Sequence, residues 1–261
     1  MKIAVLNGSP KGELSVTMQY VKCLQVMFKD VEFRIMDAAA KINKLEQDEK
    51  YFSALIEEIA SSDGVIWGFP LYYLLVPSQY KRFIELVYIN NSARAAFQGK
   101  PAAVFTTSIN FYDHTAHNYL NAVCDDLGMR YIASYSARMH DLLRSKERKR
   151  LKKFGEIFLQ AIREKWPALI NNQPLVMPEI IYSPASLNRV ATLGKKVLII
   201  ADDLSVNGNL RAMAETLQKT FTPPAEVVQL RDIGIKGGCL GCLQCGMDNN
   251  CVYEGKDGFI D

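Results

Sequence analysis

Residues 2–17, Lys-Ile-Ala-Val-Leu-Asn-Gly-Ser-Pro-Lys-Gly-Glu-Leu-Ser-Val-Thr, run from an apolar strand through a glycine-containing loop into a helix. Residues 2–6 have the apolar character of a buried strand, and helical spacing of apolar side chains begins after Ser15. A loop in this place presents the unpaired amides and the positive dipole end of the helix to an anion. The stretch therefore predicts a strand and a helix with an anion site between them.

The loop itself has the side chains expected of a phosphate site. Ser9, Ser15 and Thr17 provide hydroxyl donors, and the glycines let the backbone approach a phosphate closely. Lys11 adds a positive charge. The sequence is neither a Walker loop, which ends in Gly-Lys-Ser/Thr, nor the Gly-x-Gly-x-x-Gly dinucleotide fingerprint. The structural alternative is an ordinary capped turn with Ser15 as the N-cap.

Strand and helix patterns alternate through the first 165 residues. Short apolar segments predict strands at 2–6, 31–36, 64–69, 102–107 and 131–136. Helical spacing predicts helices at 15–28, 48–61, 77–88, 115–127 and 145–165. Strands that are each followed by a helix form a parallel sheet covered on both faces. The predicted fold class is α/β, a flavodoxin-like doubly wound five-stranded parallel sheet, which binds ligands at the carboxyl ends of its strands.

Two further loops are predicted at the same edge of the sheet. The segment 69–77, Phe-Pro-Leu-Tyr-Tyr-Leu-Leu-Val-Pro, follows the third strand and offers two tyrosines to a flat aromatic ligand. The segment 106–110, Thr-Thr-Ser-Ile-Asn, follows the fourth strand and offers hydroxyls and amides to the edge of a heterocycle. A phosphate site, a stacking surface and a polar edge are together the parts of a site for flavin mononucleotide (FMN).

These motifs resemble those of the NADPH-dependent FMN reductases, a branch of the flavodoxin-like proteins. The resemblance rests on Gly8-Ser-Pro-Lys with Ser15-Val-Thr17, on Pro70-Leu-Tyr-Tyr and on Val76-Pro-Ser-Gln-Tyr-Lys-Arg-Phe-Ile84, and it covers residues 1–165. After Thr107 the chain has Ser108-Ile-Asn-Phe-Tyr in place of the family's usual pair of glycines. The resemblance implies that FMN is bound at its phosphate by Ser9, Pro10, Lys11, Ser15, Val16 and Thr17, along its isoalloxazine ring by Pro70, Leu71, Tyr72 and Tyr73, and at the polar edge of the ring by Thr106, Thr107 and Ser108.

His114 and His117 follow the fourth-strand loop, at the start of the predicted helix 115–127. Either histidine is able to donate a proton or bind substrate, because imidazole titrates near neutral pH. The pattern favours a structural alternative, in which Asp113 is the N-cap of the helix and the histidines lie near the surface. No catalytic residue is therefore assigned from the sequence.

The sequence predicts that a second copy of the start of this domain begins at residue 196. Before it, residues 166–195 show no sustained period and predict a linker or packing arm. Residues 2–6 match 196–200, and 31–37 resemble 226–232. The predicted organisation is an FMN-binding domain at 1–165, the linker, and an incomplete second flavodoxin-like copy at 196–261 that we expect to belong to a longer tandem protein. Asp202 and Asp203 stand where a phosphate would bind, so the second copy is not expected to bind FMN.

Four cysteines are crowded into the second copy, at Cys239, Cys242, Cys245 and Cys251. Their spacing, together with neighbouring glycines, lets a tight loop surround one centre. This spacing favours a four-iron four-sulfur (4Fe-4S) cluster over zinc, whose sites usually present two separated cysteine pairs, and it is also compatible with free thiols or a disulfide. The motif also resembles that of the iron-sulfur flavoproteins, which implies electron exchange between the cluster and FMN and assembly as a homo-oligomer.

Composition and charge exclude several classes of protein. A chain with 49% hydrophobic and 23% charged residues is globular and able to bury a sizeable core. The basic run 144–153 coincides with helical apolar spacing, which favours a solvated helix face over a nucleic-acid patch. Apolar runs are too short to span a membrane, and no signal peptide precedes the first strand, so a cytoplasmic protein is predicted.

The sequence as a whole predicts an FMN-dependent oxidoreductase. NAD(P)H, or a ferredoxin-like donor acting through the cluster, would supply electrons, and a quinone, a nitro compound or free flavin would accept them. The alternatives are a non-enzymatic flavodoxin-like electron carrier and a zinc-stabilised interaction module. No residue of the sequence identifies the donor or the acceptor.

Overall fold

The computed structural model describes residues 1–109, 112–173, 179–184, 186–205 and 208–258. Internal contacts divide the chain into two compact units, Met1–Pro174 with Gly238–Gly241 and Leu175–Gly237 with Cys242–Asp261. The first unit contains a five-stranded sheet, and the second contains only short strands. The domain boundaries predicted from the sequence, at residues 165 and 195, stay predictions.

The sheet of the first unit is parallel and has the strand order β2-β1-β3-β4-β5. Its strands are β1 (Lys2–Asn7), β2 (Glu32–Met36), β3 (Gly64–Pro70), β4 (Pro101–Ser108) and β5 (Arg130–Arg138). The connections that leave β1 and β3 run to opposite sides, and this change of direction opens a crevice at the carboxyl ends of the strands. The α/β fold with a five-stranded, flavodoxin-like parallel sheet is confirmed.

Helices cover both faces of this sheet. In the described residues of the first unit they are α1 (Val16–Met27), α2 (Ile42–Gln47), α3 (Glu49–Ala60), α4 (Ser78–Ile89), α5 (Asn91–Phe97), α6 (His114–Asp126) and α7 (Ser145–Arg163). Ser15 caps α1, as the structural alternative for the loop has it, because its Oγ accepts the Met18 N–H at 3.2 Å. The sequence did not predict α2 and α5, which at six and seven residues are too short to show a helical period.

Apolar side chains fill both faces of the sheet, because consecutive strand residues point to opposite sides. On β4, Val104 packs with α2 to α6, and Phe105 packs with α1 and α7. In the first layer the ring of Trp67 stacks on that of Phe97, with centroids 5.4 Å apart. Replacing a buried aromatic of this kind by alanine costs about 3–5 kcal/mol. The loops at the carboxyl edge are therefore supported by a closely packed sheet.

The described part of the second unit has two short pairs of parallel strands, each connected through the same helix. Its elements in chain order are β6 (Val190–Ala191), β7 (Leu198–Ala201), α8 (Gly208–Thr220), β8 (Phe221–Thr222), β9 (Glu226–Gln229) and α9 (Cys245–Asp248). β7 and β9 are parallel, and Leu198 pairs with Glu226. In β1 and β2 the matching position Ala4 pairs with Arg34, which corresponds to Gln229 in the proposed repeat. The register thus differs by three residues, and the second flavodoxin-like copy stays a prediction.

Candidate functional site

The loop between β1 and α1 lies close against the sheet. Gly8 donates its N–H to the carbonyl of Gly68 at 2.7 Å. A Cβ at Gly8 would lie 2.5 Å from the ring of Tyr80 and 2.7 Å from the Cβ of Phe69. Gly12 has φ of +58°, in the left-handed region that favours glycine. Glycine at these two positions lets the backbone follow a path that a side chain would block or strain.

The first turn of α1 is equipped to bind an anion. Ser15 accepts the N–H groups of Met18 and Gln19. Within the described part of the chain, the N–H groups of Val16 and Thr17 have no protein partner. Such unpaired amides, together with the helix dipole, attract negative charge. The side chains predicted for the phosphate are placed around this turn as follows: Ser9 and Ser15 are buried, Pro10 is half-buried and Lys11 is exposed.

Asn7 joins the phosphate loop to the end of β2, a role that the sequence did not suggest. Its side-chain amide donates to Asp37 Oδ1 at 2.6 Å, and its Oδ1 accepts the N–H of Ser9 at 3.0 Å. Asn7 is fully buried. Since Asn7 ends β1 and Asp37 directly follows the neighbouring β2, both come to one edge of the sheet. The pair fixes the point where the loop leaves β1.

Thr17 links the phosphate loop to β4. Its hydroxyl lies 2.7 Å from the hydroxyl of Thr107, and both side chains are buried. The carbonyl of Thr107 in turn accepts the N–H of Leu71, the residue after β3, at 2.9 Å. The end of β4 therefore holds the loops after β1 and β3 together. The structure brings these predicted residues into one connected group, with the Thr17 side chain directed at β4.

The loop after β3 presents apolar side chains from a tight turn. Tyr72 and Leu75 exchange backbone hydrogen bonds of 2.9 and 3.0 Å. Between them, Tyr73 and Leu74 have φ of +44° and +70°, a conformation that costs non-glycine residues of order 1–3 kcal/mol each. Tyr73 is fully exposed, whereas the predicted ring contacts Pro70, Leu71 and Tyr72 are half-buried. Strain that exposes large apolar groups is typical of a binding loop.

A polar cluster lies beneath the loop after β4. The hydroxyl of Thr106 donates to Asp113 Oδ2 at 2.5 Å and lies 3.0 Å from His117 Nε2. His117 Nε2 lies 3.4 Å from the same carboxylate oxygen. Ser136 on β5 also donates to Asp113. These contacts join β4, β5 and the first turn of α6.

This cluster corrects the structural alternative that the sequence favoured for Asp113 and the histidines. Asp113 occupies the N-cap position of α6, but its side chain makes no capping bond there and binds Thr106 instead. His117 is half-buried, whereas His114 is exposed. Burial raises the pKa of Asp113, but hydrogen bonds from Ser136 and Thr106, with His117, outweigh it and hold the pKa below its ordinary value. Burial lowers the pKa of His117 despite the nearby carboxylate.

An apolar rim surrounds the carboxyl edge of the sheet. It consists of exposed side chains from the loops after β1, β3, β4 and β5: Leu14, Tyr73, Leu74, Leu75, Ile109, Tyr112, Met139 and Leu143. Tyr112, like Tyr73, has a left-handed φ, of +54°. Ser108 ends β4, and its carbonyl accepts the N–H of Met139 at 3.1 Å. Clustered exposed apolar groups mark a surface that binds something.

The sequence matches the family model of NADPH-dependent FMN reductase over residues 1–141. The chain belongs to the NADPH-dependent FMN reductase family. It is accordingly an NAD(P)H-dependent flavin oxidoreductase, as its sequence predicted, and FMN is the cofactor of its family. No curated protein matches the sequence.

Several solved structures are similar to about three fifths of this chain. FerB, a flavoenzyme NAD(P)H:(acceptor) oxidoreductase from Paracoccus denitrificans, is 22% identical, with a TM-score of 0.50 over 62% of this chain and 97% of that chain. The apo form of the NADH:FMN oxidoreductase EMOB is 20% identical, with a TM-score of 0.50 over 61% and 89%. An oxidoreductase from Corynebacterium diphtheriae is 13% identical, with a TM-score of 0.51 over 63% and 98%. At these identities the likeness shows the fold.

The site of this FMN reductase family member fits the family's cofactor. The unpaired amides of Val16 and Thr17 suit a phosphate, and Gly8 keeps the loop close to the sheet. The half-buried residues after β3 border the same edge. These residues are suited to hold FMN, whose ring would supply hydride and electron transfer.

The four predicted metal ligands are free thiols in this structure. Cys239, Cys242 and Cys245 are exposed free thiols, and Cys251 is a half-buried one. Throughout the described ranges, no three His, Cys, Asp or Glu side chains are close enough to hold one metal ion. Among the described residues, no helix is long and apolar enough to cross a membrane.

Proposed function

We propose that this chain binds FMN at the carboxyl ends of β1, β3 and β4 and reduces a planar, apolar acceptor with electrons from NAD(P)H. The observation that carries the proposal is the connected group of loops at this edge. Thr107 bonds to both Thr17 and Leu71, so the turn that suits a phosphate and the turn that suits a ring are parts of one rigid unit. Such preorganisation lowers the cost of ordering a ligand.

The phosphate is assigned to the loop between β1 and α1. The amides of Val16 and Thr17 would donate to it, the hydroxyls of Ser9 and Ser15 would add donors, and Lys11 would add charge. Lys11→Gln should weaken FMN binding about 5- to 30-fold, equivalent to about 1–2 kcal/mol. Lys29→Gln, at an exposed lysine after α1, is the matched control. Equal affinities for the two variants would remove Lys11 from the site.

The ring is assigned to the loops after β3 and β4. Pro70, Leu71, Tyr72 and Tyr73 would line it. Thr106 and Thr107 direct their hydroxyls to Asp113 and Thr17, so we propose that they shape the site from below. The polar edge of the ring would then meet Ser108 and the backbone of the loop after β4.

The apolar rim indicates the class of acceptor. Leucine, isoleucine, methionine and tyrosine side chains around a flavin site favour a quinone or a nitroaromatic compound over a charged, strongly hydrated acceptor. The test is steady-state oxidation of NADPH and NADH with a naphthoquinone and, separately, with ferricyanide. A higher kcat/KM for the quinone supports the assignment. A flavin-bound protein that turns over neither acceptor would instead be an electron carrier, and a protein that takes up no FMN would refute the proposal altogether.

The cysteine motif is the basis of a second proposal, an iron-sulfur cluster that receives electrons from a ferredoxin-like donor within a homo-oligomer and that requires the four thiols to converge on it. It is carried by the compact spacing of Cys239, Cys242, Cys245 and Cys251. Gly241 donates its N–H to Cys239 Sγ at 3.4 Å, the kind of contact that tunes thiolate ligands. Iron and acid-labile sulfide, measured after anaerobic purification, test it. Four irons per chain would support the cluster, and zinc or no metal would reject it.

A further inference from the structure

The Thr106 hydroxyl fixes the direction of a chain of hydrogen bonds at the end of β4. A threonine hydroxyl has one hydrogen to donate. Thr106 Oγ1 lies 2.5 Å from the Asp113 carboxylate and 3.5 Å from the Tyr135 carbonyl. The hydroxyl therefore donates its hydrogen to the carboxylate. The contact of 3.0 Å between Thr106 Oγ1 and His117 Nε2 then requires the imidazole to donate. His117 is therefore the Nε2–H tautomer, and Nδ1 is its basic atom.

The surroundings of His117 keep this arrangement defined. Asp113 is buried, accepts from Thr106 and Ser136, and is the charged group that acts on His117. On β5, Tyr131 interacts electrostatically with the same carboxylate. Burial raises the pKa of Tyr131 to about 12, so its phenol stays neutral. On α6 itself, burial raises the pKa of the Cys124 thiol. Near neutral pH these groups keep their charge, so His117 is the group of this cluster that a fall in pH protonates.

The position of His117 is suited to proton exchange with a ligand at the carboxyl edge. It lies in the first turn of α6, directly after the loop that carries exposed Ile109 and Tyr112. It is neither sealed in the core nor fully solvated, with 15% of its side chain exposed. An imidazole held by a carboxylate, with one nitrogen left over, is the general arrangement of an oriented acid or base.

We propose that His117 is the proton-holding residue of this site, and that Asp113 and Thr106 are positioning residues that set its tautomer. The proposal rests on the function proposed above. Reduction of a quinone to a hydroquinone takes two electrons and two protons. FMN, when bound, would supply the two electrons and one hydrogen nucleus as hydride. His117 takes up a proton from solvent at Nδ1, donates it as the remaining proton and returns to the Nε2–H form, which closes the balance.

The tautomer can be read without flavin or turnover. Long-range ¹H–¹⁵N spectra of the flavin-free protein at pH 8 should show His117 Nε2 protonated and Nδ1 unprotonated. Thr106→Val removes the acceptor of the Nε2–H and should shift the population towards the Nδ1–H form. A wild-type His117 with Nδ1 protonated would overturn the proposal, whatever the activity of the protein.

The pH profile tests the proton itself. Quinone turnover by the wild type should rise as the pH falls from 8 towards the pKa of His117. His117→Gln keeps a donor for Thr106 but cannot titrate, so it should lose this rise and about 100-fold in kcat at pH 7. Asp113→Asn should move the inflection to lower pH, because it removes the charge that favours imidazolium.

The matched control is His114→Gln, at the exposed histidine three residues earlier, which should keep the wild-type profile. A His117→Gln variant with an unchanged pH profile would overturn the proposal while leaving the proposed function intact. Loss of FMN binding or of all turnover in the wild type would instead overturn the proposed function. If His117→Gln fails to fold, the spectrum of the wild type still decides the tautomer.

Discussion

Removing the hydroxyl of Thr17 tests how the two halves of the site are joined. The hydroxyls of Thr17 and Thr107 lie 2.7 Å apart in a buried environment. Thr17→Val keeps the shape of the side chain but leaves Thr107 without this partner, and an unsatisfied buried hydroxyl costs about 1–3 kcal/mol. We predict a similar loss of unfolding free energy for Thr107→Val. The double variant should lose less than the sum, because replacing both partners by apolar groups of the same shape is nearly neutral.

The assay is urea unfolding of the flavin-free wild type, both single variants and the double variant. We predict that the double variant is more stable, by about 1–3 kcal/mol, than the sum of the two single losses would make it. Losses that add to within about 0.5 kcal/mol would refute the hydroxyl pair. FMN affinity, measured on the same four proteins, gives an independent readout. If Thr17 acts as a link, the double variant should bind FMN more tightly than Thr17→Val; if its hydroxyl binds the phosphate directly, both should be weakened equally.

Three further perturbations follow from the geometry. Gly8→Ala places a Cβ against two buried aromatic side chains and should lower the unfolding free energy by about 1–3 kcal/mol, seen as a lower Tm; an unchanged Tm would contradict the close approach. Folding lowers the pKa values of His117 and Asp113. As the pH falls, the unfolded chain therefore binds a proton at His117 from about pH 6.5, and at Asp113 from about pH 4, more readily than the folded chain does. Urea unfolding should therefore show stability falling as the pH falls, with a shallower fall between pH 6.5 and 5 in His117→Gln; parallel curves would contradict the burial of His117. Tyr73→Ser removes a fully exposed ring, so it should leave Tm unchanged and raise the KM for a naphthoquinone about 5- to 30-fold, with exposed Val26→Ser as the control; equal KM values would exclude Tyr73 from the acceptor site.

The elements of the sheet could be predicted because their signals are local. Each strand is a short apolar run between turns, and Ser15, a residue type favoured at the N-cap, marks the residue before α1. The carboxyl edge could also be predicted, since parallel strands bring successive loops to one side. The three loops that carry the predicted FMN contacts are the loops that this edge assembles.

The polar contacts that organise the edge could not be predicted, because they join residues far apart in sequence. Asn7 and Asp37 meet only because β1 and β2 are neighbours, and Thr17 meets Thr107 across ninety residues. Asp113 shows a different difficulty. A carboxylate at the start of a helix predicts an N-cap. Only the tertiary structure shows that the Asp113 carboxylate instead accepts a hydrogen bond from the buried Thr106 hydroxyl.

Titration of the purified, flavin-free protein with FMN tests the central claim most directly. Quenching of flavin fluorescence should saturate at one FMN per chain, and affinity should fall at least tenfold in the paired Ser9→Ala and Ser15→Ala variant, equivalent to about 1.4 kcal/mol or more. A matched pair of alanine substitutions at exposed Ser53 and Ser145 should bind FMN as the wild type does. Two FMN per chain, no saturable binding, or equal weakening in both double variants would contradict a single FMN site at the loop between β1 and α1.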